Sequence, residues 1–139
     1  MAEALPHIRM ELDSDSVLAL GAAYAVEFCA RHCGMSDRAC ADVKAAAEET
    51  IRDTFALLTD GHPQLTLDVQ GFGDRLEVML EHRGEALPTA GLDTFLAGGP
   101  ANSAGGVTGL SLMARVDRVL YHTENGASRT TLVKYLKRS

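Results

Sequence analysis

The sequence has no tryptophan and its aromatic residues are scarce, 5% of 139 positions. A buried core must therefore be assembled from aliphatic side chains and alanine. Three cysteines are too few, and odd in number, for a disulfide framework. Cys29 and Cys33 share a helix face, but with His32 and Cys40 they lack the paired short spacings of a zinc site, so they read as free thiols packed as small apolar groups. No apolar run approaches the roughly 20 residues that span a bilayer. "MAEALPHIRMEL" lacks a basic segment followed by an apolar one, so no signal peptide is expected and the expected location is the cytoplasm. Basic residues are outnumbered, and the formal charge of −6 opposes nonspecific binding to nucleic acid. The same charge suits a protein partner with a basic patch.

What is present is ordinary for a globular chain: 46% hydrophobic and 23% charged residues, expected to form one domain over 1–139. "HIRMEL" alternates and predicts a short strand. In "DSDSVLALGAAYAVEFCARHCG", Asp13 or Ser14 is the expected cap and Gly34 the stop, with Val17, Leu20, Ala23 or Tyr24, and Phe28 recurring at helical spacing. Ser36 opens a second helix that runs to about Asp60, with Val43, Ala47, Thr50, Ile51, Thr54 and Leu58 toward the sheet. Then the period becomes two: "QLTLDVQ" and "RLEVMLEH" form a hairpin through "GFGD". Residues 83–104 form a long loop, followed by a short helix from about Leu110 to Val116. "DRVLYHTE" and "SRTTLVKYL" pair through "NGA". The expected fold is a two-layer α/β sandwich, a mixed, mostly antiparallel sheet against about three helices.

Three places on this framework carry chemistry. Glu49 and Asp53 stack one turn apart on a flank of the second helix. Two carboxylates there repel, which suits a metal or general-base site as well as a solvated acidic surface. Glu48 and Arg52 form an outward ion pair. His82 continues the inward row Leu76–Val78–Leu80, just before Gly84 at the strand end. Gly105, Gly106 and Gly109 stand at the mouth of the short helix, where they form either a flexible linker or a backbone cradle for an anion.

Together, "AAAEETIRDTF", "LEHRGEALP" and "GGVTGLSLMARVDRVLYHTENGASRTTLVKYL" resemble the histidine-kinase-like ATPase superfamily, and within it the anti-sigma-factor serine kinases of bacterial partner switching. The resemblance covers nearly the whole chain and is strongest at Asp117–Tyr121. It implies ATP and Mg²⁺ as cofactors and Glu49 as the general base. It implies Asp53 at the Mg²⁺ position, where the family has Asn, and His82 at the adenine-binding position, where the family has Asp. Gly84, Gly105, Gly106, Thr108, Gly109 and Leu110 match the nucleotide-binding glycine and the phosphate loop. Val107 and Thr108 replace the family's usual arginine and glycine.

The implied partner is a sigma factor or an anti-sigma antagonist, in transcription regulation. A homodimer is also implied, through the sheet or the first helix, whose small residues around Gly21–Ala25 permit close packing. The altered positions leave three activities open: a partner-docking regulator with weakened or lost ATP binding, an active serine kinase, and a non-enzymatic interaction domain of the same fold.

Overall fold

The computed structural model describes residues 5–58, 64–83 and 114–136. The elements run β1 (His7–Asp13), α1 (Ser16–His32), α2 (Asp37–Leu57), β2 (Gln64–Gly71), β3 (Arg75–Arg83), β4 (Arg118–Glu124) and β5 (Ala127–Tyr135). The cap of α1 is Asp15, not Asp13 or Ser14. Its backbone is extended, and its carboxylate accepts from the Val17 N–H at 2.8 Å. Gly34 follows the helix at φ +90, the left-handed stop its position predicts. Ser36 caps α2 by accepting from the Ala39 N–H. That helix ends at Leu57, short of the expected Asp60, because Leu58 is already extended at ψ 128.

The sheet order is β1-β2-β3-β5-β4, and every described pairing is antiparallel. Asn125 (φ 54) and Gly126 (φ 77) make the tight β4–β5 turn. The inward face stacks Leu65, Leu67 and Val69 beside Leu76, Val78 and Leu80, with Leu132 across from Val78. The helices cover this face with Ala22, Val26, Cys29, Val43, Ala47 and Ile51. The opposite face is open and polar; one row crosses all five strands in register as Glu11, Thr66, Glu81, Arg129 and His122. The short helix expected at 110–116 lies mostly outside the described residues, and no described helix is long and apolar enough to cross a membrane.

The outward and inward sides of α1 are not the expected ones. Ala19, Ala22, Ala23, Val26, Cys29 and Ala30 are buried, whereas Val17, Leu20, Tyr24 and Phe28 face solvent. α1 packs on both α2 and the sheet, and small side chains let three elements approach closely. The helix carries two apolar stripes, and the close fit selects the smaller. The small-residue face around Gly21–Ala25 thus contributes Ala22 and Ala23 to the core, while Gly21 stays exposed.

All three cysteines are free: Cys29 and Cys40 are buried and Cys33 is half-buried. Burial first, and then the neighbouring Cys33, pushes the Cys29 thiol up to about 11 from 9.0. Because the folded value is the higher one, the unfolded chain releases this proton first. Stability is therefore complete below pH 9 and falls as pH rises toward 11. Urea melts across that window should show a loss on the order of 1–2 kcal/mol that Cys29→Ala flattens. An equal loss in the variant would assign the effect to other groups.

Candidate functional site

On α2, helical spacing alone sets the site's first wall. Thr50, Ile51 and Thr54 are buried toward the sheet, and both threonine hydroxyls donate back to carbonyls one turn earlier at 2.7 Å. Glu49 and Asp53 flank this buried line, each partly exposed, one turn apart. On the other side of the helix, Arg52 and Glu48 form the expected ion pair at 2.9 Å. Both carboxylates supply oxygen, the ligand type that Mg²⁺ takes.

The second wall is the end of β3. Alternation carries His82 inward after Leu80, and it is 4% exposed, in register with the buried Ser128 of β5. Its Nδ1 lies 2.9 Å from the Arg83 carbonyl oxygen. A carbonyl can only accept, so Nδ1 donates this hydrogen bond, and in the singly protonated ring Nε2 is then the acceptor. Among the described residues, Nε2 is sealed from solvent and has no hydrogen-bond partner. A buried acceptor left unmade costs about 1–3 kcal/mol, so this atom is suited to a ligand that donates an N–H. An exocyclic amino group on a nucleobase is such a donor, and the residues fit that group in kind, with one ring-nitrogen acceptor and no negative charge.

Glu49, Asp53 and His82 thus lie on the same side of the sheet, in the helix layer and on the strand face it covers. Gly84, Gly105, Gly106, Thr108, Gly109 and Leu110 lie outside the described residues. Among the described residues, no group of three or more His, Cys, Asp and Glu is placed to hold a metal ion. Sequence reasoning missed the hydrogen bond that fixes the His82 tautomer, which no residue spacing encodes. It also missed the outward stripe of α1, whose signal was present as a second apolar period.

No family model matches the chain, and no curated protein matches its sequence. Among solved structures, it is similar to the crystal structure of the RsbU and RsbW domains of Rv1364c from Mycobacterium tuberculosis, at 16% identity and a TM-score of 0.64. The match covers 96% of this chain and 33% of that one, so the chain spans about a third of that structure's length. At such identity the likeness establishes a shared α/β fold.

Proposed function

We propose that this chain is a regulatory partner-switching protein that acts by docking to a sigma factor or an anti-sigma antagonist, with nucleotide binding weakened relative to an anti-sigma-factor kinase. The observation that carries the reading is His82. Where the resembled family has a carboxylate, this chain has an imidazole, which carries no negative charge and whose Nδ1–H is committed to the Arg83 carbonyl. A charge-assisted bond at that place is worth about 1.5–3 kcal/mol, so its loss lowers affinity about 10- to 150-fold. Glu49 and Asp53 would face the Mg²⁺ and phosphates, His82 and Gly84 the base, and the loop from Gly105 to Leu110 the phosphate oxygens. When bound, Mg-ATP supplies a transferable phosphoryl group. An Asp at position 53 adds negative charge beside it. The similarity to a structure containing an RsbW domain and the net charge of −6 support a protein partner.

Calorimetric titration with Mg-ATP and Mg-ADP tests the nucleotide half of this reading. We expect no saturation in the micromolar range. Micromolar binding that disappears without Mg²⁺ would overturn it in favour of an active serine kinase, the reading that Glu49 favours. In that case Glu49→Gln should abolish phosphotransfer and leave the fold intact.

A further inference from the structure

The anchoring of His82 leaves one ring atom to act on a ligand. Nδ1 donates to the Arg83 carbonyl at 2.9 Å, and that bond is made whether or not the other nitrogen carries a proton. The ring therefore keeps one orientation in both of its states, and only the role of Nε2 changes. With one ring proton Nε2 accepts, and with two it donates. An ionised carboxylate in the same place has no second role, because it only accepts. Among the described residues Nε2 has no partner of its own, so its hydrogen bond falls to whatever occupies the site.

We propose that His82 makes this chain a pH-set selector between two classes of purine nucleotide: 6-aminopurines when Nε2 accepts, and 6-oxopurines, of the hypoxanthine and guanine type, when Nε2 donates. The inference rests on the base seat that the proposed function gives to His82. A 6-amino group offers an N–H to a lone pair, whereas a 6-carbonyl offers a lone pair to an N–H. Each wrong pairing sets two donors or two acceptors face to face and leaves the buried nitrogen unsatisfied. Sites built on a buried polar group discriminate strongly for that reason. A carboxylate rejects the 6-carbonyl at any pH where it is ionised; the imidazole rejects it only while Nε2 lacks a proton.

The surroundings permit both states. Among the described residues, His82 lines a cavity of about 600 Å³ with Glu11, Gln64, Thr66, Glu81 and Arg83, within the roughly 300–1,000 Å³ of small-ligand sites. Glu81 and Arg83 flank the ring on β3, Glu11 lines the cavity from β1, and Glu49 and Asp53 stand on α2. β2 contributes the uncharged Gln64 and Thr66, and β5 the uncharged Ser128 in register with His82. The described residues that α1 buries are alanine, valine and cysteine. Carboxylates thus outnumber the guanidinium, and local charge does not oppose a second ring proton.

Competition between Mg-ATP and Mg-ITP at millimolar concentration, read by ligand-observed NMR on the whole chain, tests the selector. Measurements at about pH 8 and about pH 5.5 bracket the range in which imidazoles exchange a proton. The two nucleotides share their triphosphate, so phosphate ionisation cancels in the ratio of their affinities. That ratio, ATP over ITP, should fall about tenfold or more between the higher and the lower pH. His82→Gln should remove the pH dependence, because its amide presents either an oxygen or an NH₂ at both values. Ring ¹⁵N spectra of the unaltered chain give a second readout: at one intermediate pH, ITP should move Nε2 toward its protonated signal and ATP toward its lone-pair signal. A ratio indifferent to pH would overturn the proposal, and so would a change that survives in His82→Gln. Binding of neither nucleotide at either pH would also overturn it, while leaving the docking reading intact. Micromolar ATP binding at the higher pH, with the ratio still falling at the lower, would uphold the selector and overturn the weakened affinity instead.

Discussion

Replacing Leu80 with alanine is expected to lower the free energy of unfolding by about 3 kcal/mol, within the range of about 2–5 seen for buried Leu→Ala changes. Leu80 is 1% exposed and sits on the middle strand, in register with Leu67 on one side and Thr130 on the other. Neighbours held by two ladders cannot collapse into the space left behind, so the cavity term is retained. In a chain of this size the melting temperature should fall by roughly 10 °C. Leu120 provides the control: it is 44% exposed on the open face of the edge strand. Leu120→Ala should change stability by no more than about 0.5 kcal/mol. Equal losses in the two variants would contradict the inward assignment of the β3 row, and with it the position of His82.

Gly71→Ala should cost about 2 kcal/mol, through space and not conformation. A Cβ at this position would lie 2.6 Å from the Cys33 sulfur and 3.0 Å from the Pro6 ring. The backbones that carry both neighbours are anchored, Cys33 as the C-cap of α1 and Pro6 through its carbonyl, which accepts from the Gly71 N–H at 2.8 Å. Combining Gly71→Ala with Cys33→Ala removes the closer obstacle. The double variant should therefore recover about 1 kcal/mol relative to the sum of the single changes. Strict additivity in denaturant melts would show that the sulfur is not what excludes the methyl group.

Where one physical rule acted alone, the sequence was readable. Period-two alternation from Leu76 onward put His82 on the inward face, and the structure has it there at 4% exposure. Asn125–Gly126 specified a hairpin because both residues tolerate positive φ. The inward line of α2 was likewise legible, since its other side is charged. α1 was not, because both of its sides are apolar and only the tightness of the packing decides between them. Strand order was also hidden: nothing local in β5 tells it to pair with β3 as well as with its hairpin neighbour β4. At the candidate site, the residue types were visible but not the state of the imidazole, which depends on a carbonyl one residue away.

The insertion of β5 between β3 and β4 has a consequence during synthesis. When the ribosome has released β1 through β3, those strands have the β2–β3 turn and both helices but no neighbour on the far side of β3. Val78 and Leu80 then flank an edge whose partner comes last among the described strands. Closing the sheet requires the β4–β5 hairpin to arrive as a unit from a distant part of the chain, a non-local step that is slow compared with turn formation. During that interval the nascent chain presents an unpaired apolar strand to other chains. Its yield in the cell should therefore respond to translation rate and to chaperones that shield strand edges, even where the finished protein is stable.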